Sequence, residues 1–162
     1  MNKKIILIIS IFCLLTFFVS CGNNSTVENE EGTVFHNLVI DIPSSCSKNN
    51  EKSNEYIQTF ENENEKYILS YFNSESYFDI GSTYTGLINQ IFQEGGTIAR
   101  ELNVHDNAAI IFNTTSDNNF ICIISTPEEV YSIDYTVLNS DKSSEELLND
   151  FIDLIEKVDF KK

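Results

Sequence analysis

The residues of this chain best equipped for chemistry are four cysteines and two histidines. A thiol can ligate a metal, attack a carbonyl carbon, pair as a disulfide or accept a lipid, and an imidazole moves protons near neutral pH. Sequence context decides among these. Neither His36 nor His105 falls in a His-Glu-x-x-His helix or beside a Gly-x-Ser-x-Gly elbow. His36 reads as a strand residue and His105 as a turn residue beside Asp106, so both are expected to be structural or solvated. Cys122 lies in the apolar run Ile121 to Ile124, where a thiol is commonly buried and inert, and Cys46 lies in a polar loop. Two unpaired thiols are the expected state, with a disulfide as the alternative and a redox site third. Glu61, Glu63 and Glu65, or Asp117 with Asn118, could gather a cation. They lack the Asp-x-Asp-x-Asp-Gly spacing of a calcium loop and read as hydrated turn carboxylates. There is no Gly-x-x-x-x-Gly-Lys loop to cradle phosphate. No catalytic, cofactor-binding or metal-ligating set is read from the sequence.

Cys21 differs from the other three cysteines in what precedes it. Lys3 and Lys4 supply a positive start, Ile5 to Val19 an apolar run, and Ser20 a small residue before Cys21 and Gly22. That order is the anatomy of an export signal. Phe18-Val19-Ser20-Cys21 resembles the lipobox of bacterial lipoproteins, with Phe18 where Leu is usual. The resemblance implies that residues 1–20 are removed and that the Cys21 sulfur receives a diacylglyceryl group. Two acyl chains at about 0.8 kcal/mol per buried CH₂ make a lasting anchor. The protein is then expected at the outer face of the cytoplasmic membrane. The alternatives are cleavage elsewhere, or an uncleaved helical anchor. Against the helix, Ile5 to Ser20 is sixteen residues, short of the roughly 20 that span a bilayer.

Without residues 1–20 the chain carries 8 basic and 25 acidic residues, a formal charge of −17. Nucleic acid is excluded as a partner, because its affinity rests on Lys and Arg neutralising phosphates. An anionic bilayer surface also repels this domain, which leaves the holding to the lipid. Gly22 to Gly32 is polar and reads as a tether with a reach of roughly 18 Å. The expected organisation is a signal peptide at 1–20, a lipidated cysteine and tether at 21–32, and one domain at 33–162. Tyr77 and Phe78, in the connection before the central helix, read first as loop anchors and otherwise as the candidate binding surface, since exposed aromatics mark contacts.

Positioning these residues requires a sheet. Period-two alternation predicts strands over Phe35–Ile42, Tyr56–Phe60, Tyr67–Phe72, Thr97–Val104, Ala108–Asn113, Phe120–Ser125 and Val130–Leu138, with a short one at Val158–Phe160. Tyr84, Leu87, Ile88, Ile91 and Phe92 fall on one helical face, with Ser82 or Thr83 as cap and Gly95-Gly96 as stop. Leu147, Phe151, Ile155 and Val158 mark a second helix, which Ser143 and Glu146 open as a capping box. Short connections imply a mostly antiparallel sheet of seven or eight strands on which two helices bury their apolar stripes: an α+β sandwich.

The opening Phe35-x-x-x-x-Ile40-x-Ile42-Pro43, the central helix and the closing Val158-Asp159-Phe160 give the domain a resemblance to the PsbP-like fold. That fold includes the extrinsic protein of photosystem II, a Ran-binding import factor and many small bacterial lipoproteins. The chain departs from the pattern in having no Trp after Pro43 and Asp106-Asn107-Ala108-Ala109 where Asn-Gly is frequent. The resemblance carries no catalytic residue. The expected function is that of a non-enzymatic binding or accessory module whose partner is a protein or envelope component. The alternatives are a small hydrolase using carboxylates and His105, or a small-ligand carrier.

Overall fold

The computed structural model describes residues 32–73, 79–116 and 118–161. Cys21 with its signal and the tether up to residue 31, Asp117, and the aromatic pair Tyr77 and Phe78 lie outside the described residues.

Among the described residues ten strands and two α-helices follow one another: β1 (Thr33–Phe35), β2 (Leu38–Ile40), β3 (Ser47–Lys48), β4 (Ile57–Glu61), β5 (Glu65–Asn73), α1 (Ile80–Gln93), β6 (Thr97–Val104), β7 (Asn107–Asn113), β8 (Asn119–Ser125), β9 (Glu129–Val137), α2 (Ser144–Glu156) and β10 (Asp159–Phe160). A single 3-10 turn, Asn50–Lys52, separates β3 from β4. Seven strands form an antiparallel sheet in the order β3-β4-β5-β9-β8-β7-β6, and β1-β2-β10 form a smaller one. The fold is α+β.

The interior strand β8 explains the layering. Phe120, Cys122 and Ile124 join the core beneath α2 and the small sheet, with Leu38, Phe151 and Ile155. Its alternate residue Ile123 joins Ile80, Ile91 and Phe112 beneath α1, with Ile121 partly buried against them. A strand covered on both faces must be apolar at consecutive positions, hence the unbroken Phe-Ile-Cys-Ile-Ile.

The strand expected over Phe35–Ile42 is instead a hairpin turning at His36-Asn37, with Phe35 opposite Leu38. Phe35, Leu38 and Ile40 are all fully buried. A continuous strand would put Phe35 and Leu38 on opposite faces, whereas the turn puts both on the core side. His36 takes φ 54° there, so it is a turn residue rather than a strand residue.

Asp79, not Ser82 or Thr83, caps α1, its carboxylate accepting from the Gly81 and Ser82 amides at 3.3 and 2.9 Å. The helix therefore begins early enough to bury Ile80. Its end is a Schellman motif: Gly95 N–H donates to Phe92 O, Gly96 N–H to Ile91 O, and Gly95 holds φ 87°. The Ser143–Glu146 capping box opens α2.

Candidate functional site

The two central strands carry the same pattern. Glu65-x-Tyr67-x-Leu69-x-Tyr71 lies in β5 and Glu129-x-Tyr131-x-Ile133-x-Tyr135 in β9. The strands pair antiparallel with Tyr67 opposite Tyr135, Leu69 opposite Ile133 and Tyr71 opposite Tyr131. Period two puts all these side chains on the α2 face. Two copies of one motif running in opposite directions make a local two-fold arrangement, with a tyrosine pair and a glutamate at each end.

The ends have different covers. At one, Glu129 accepts from Tyr131 Oη at 2.7 Å, Tyr71 Oη at 3.0 Å and Asn37 Nδ2 at 2.9 Å. The Asn37 amide also donates to Tyr131 Oη at 3.3 Å. His36 stacks on Tyr71 with ring centres 3.6 Å apart, and its Nε2 lies 2.6 Å from Glu55 O. The β1–β2 turn thus caps this end. Burial and the Glu129 carboxylate push the Tyr131 hydroxyl well above the usual phenol range.

At the other end Tyr67 and Tyr135 stack at 4.8 Å, and Glu65 accepts from both hydroxyls at 2.9 and 3.5 Å. Burial, then the neighbouring Tyr135 and Glu65, raises Tyr67, and burial with Glu65 pushes Tyr135 up to about 12. Asn62 Nδ2, in the β4–β5 turn, and Cys46 Sγ also donate to Glu65, at 3.4 and 3.6 Å. Beyond them this end opens into a groove of about 650 Å³ between the sheet and α2, with Glu65, Tyr67 and Tyr135 among its lining. Pro43, Val137, Leu147 and Leu154 add apolar wall, and Asp41, Asp141, Asp150 and Asp153 add carboxylates. Its volume is that of ordinary ligand pockets, roughly 300–1,000 Å³.

Of the other sequence candidates among the described residues, only Glu65 lines this groove. His105 and Asp106 occupy the two-residue β6–β7 turn at φ 48° and 67°, the positive-φ pair typical of a type I′ hairpin. His105 Nε2 lies 3.5 Å from Asp159 Oδ1, and both side chains are exposed. The three acidic residues separate. Glu61 holds Asn49 and Lys52 at 2.6 and 3.0 Å, Glu63 is exposed, and Glu65 turns to the tyrosines. Among the described residues no group of three or more His, Cys, Asp or Glu could hold a metal ion. Cys46 and Cys122 are unpaired. Cys122 is fully buried, and burial lifts its thiol far above the ordinary range. Burial, then the Glu65 carboxylate 3.6 Å away, pushes Cys46 up to about 11.

A second hollow of about 250 Å³ lies beneath α1, lined by Leu87, Ile91, Ser70, Ser132 and Asp134. Asp134 accepts from Ser132 Oγ at 2.9 Å, and burial pushes its carboxyl up to about 6.

The sequence alone places the four tyrosines only within predicted strands. The signal that finds them is the repeated Glu-x-Tyr spacing, which acquires meaning once β5 and β9 are neighbours.

No protein-family model, curated protein or solved structure matches the chain. Among the described residues no helix is long and apolar enough to cross a membrane.

Proposed function

We propose that this protein is an extracytoplasmic lipoprotein, held by a diacylglyceryl group on Cys21, that works as a non-enzymatic binding module through the groove between α2 and the central strands. The observation that carries the binding reading is the asymmetry of the two tyrosine ends. The chemistry is duplicated, but the β1–β2 turn covers one copy, while the other lines an open concavity. The lysine pair, apolar run and Ser20-Cys21 junction support the address. The α+β layering with a central and a closing helix accords with a PsbP-like domain, which stays part of the proposal.

The hydrolase alternative depends on a histidine converging with carboxylates and a nucleophile. His105 meets Asp159 on an exposed turn, and neither lines the groove. A carrier of small ligands would need an apolar pocket inside the sandwich. The hollow beneath α1 is below the roughly 300 Å³ of ordinary ligand pockets.

The address is tested by growing cells with a labelled fatty acid. The wild-type chain is expected to carry the label and Cys21→Ala to lose it. Label retained by the alanine variant would remove the anchor from the proposal.

A further inference from the structure

The groove already holds one ammonium group. Lys142, in the connection between β9 and α2, sends its Nζ to Asp150 Oδ2 at 2.5 Å. Both residues line the groove. The lysine belongs to the chain itself, yet it shows that an Asp150 oxygen on the rim takes an ammonium group. Asp150, and more weakly Glu146 and Glu65, hold the Lys142 ammonium above its ordinary pKa, so the local field favours positive charge.

The lining contains five carboxylates and two lysines, Lys142 and Lys157. With Lys142 engaged by Asp150, the excess of negative charge is unmet from within the lining. The carboxylates come from separate segments: Asp41 after β2, Asp141 after β9, Asp150 and Asp153 from α2, and Glu65 on the floor. They are therefore spread along an open trough rather than gathered at one point. Pro43 and Leu154, both partly exposed, offer apolar surface between them, over the buried Val137 and Leu147. Lysine is suited to that pattern, because its stem lies along apolar surface while its head reaches charge or water.

We infer that the groove docks an extended, lysine-bearing segment of a protein partner, its side chains lying along the apolar wall and its ammonium groups on the rim carboxylates. The inference rests on the proposed binding role of the groove and adds the chemistry of the partner. It also gives Lys142 a role: it occupies Asp150 in competition with the incoming segment.

The test uses the full lipidated chain in zwitterionic nanodiscs and a fluorescent peptide of alternating alanine and lysine, read by anisotropy. Asp150→Asn with Asp153→Asn is expected to weaken binding about fivefold, the scale of two exposed ion pairs. Lys142→Gln is expected to strengthen it about twofold by freeing Asp150. Glu94→Gln with Glu101→Gln, which removes equal charge outside the groove, is expected to leave it unchanged. Equal weakening by the two double variants would overturn the inference, since the peptide would then be reading net charge. Unchanged or weaker binding to Lys142→Gln would overturn it too, as would spermidine saturating the groove where the peptide does not bind. If the peptide fails while the groove still crosslinks a partner in cells, the ammonium chemistry falls and the binding role stands. If the groove crosslinks nothing, both fall.

Discussion

Glu129 is the residue on which the covered end depends. It accepts three hydrogen bonds, two from buried tyrosines and one from the β1–β2 turn. Replacing it with alanine removes the acceptor these groups share, and Glu129→Ala is expected to cost about 2 kcal/mol in urea denaturation. Asp134 makes the opposite prediction. Its folded pKa, about 6, lies above the ordinary 3.8. Between those values the native state binds more protons than the unfolded one, so stability falls as pH rises from about 4 to about 6 and stays lower above. Asp134→Asn cannot ionise. It is expected to abolish that fall and to be more stable than the parent at pH 7.5, by roughly 1–2 kcal/mol. A parent-like pH profile in the variant would show that Asp134 is not the group responsible. The thiols allow a third check at this scale. Cys122 is sealed in the sheet and Cys46 is held protonated, so both are expected to react slowly with maleimide at pH 7.5 until the chain unfolds.

At the scale of elements, α1 provides paired glycine tests. A Cβ on Gly86 meets nothing within 4 Å, so Gly86→Ala is expected to stabilise by about 0.5–1 kcal/mol. A Cβ on Gly96 would overlap Ile91 Cγ2 in the Schellman turn, so Gly96→Ala is expected to lower the melting temperature. Local signals were legible where local physics decides. The bounds of β6 follow from alternation alone, and the α2 capping box follows from Ser143 and Glu146. The β1–β2 hairpin was not legible, because its turn uses His36 at positive φ rather than glycine. Only the need to bury Phe35 beside Leu38 shows where the chain reverses. The two-residue β3 is too short for any period to register. Asp79 and Ser82 are both good caps, and Asp79, being earlier, starts α1 where Ile80 can reach the core.

For the whole molecule, the α+β class was legible in the sequence, but the candidate site was not. Glu65 stood out as one of three turn carboxylates. Tyr67 and Tyr135 meet it only because β5 and β9, separated by α1 and three strands, lie side by side. The surplus of acidic residues is a long-range property with its own consequence. Self-repulsion opposes the compact state, and added salt is expected to raise the unfolding midpoint by screening it. The same surplus opposes contact with anionic lipid, which gives the lipid on Cys21 its purpose in the proposal. The most direct measurement of the central claim is photo-crosslinking in living cells from a reactive residue at Asn139, on the groove, compared with one at Gln93, on α1 across the sheet. A discrete adduct is expected from position 139, absent from position 93 and lost when Cys21 is replaced by alanine. The same adduct from both positions, or none from position 139 in the lipidated chain, would contradict it.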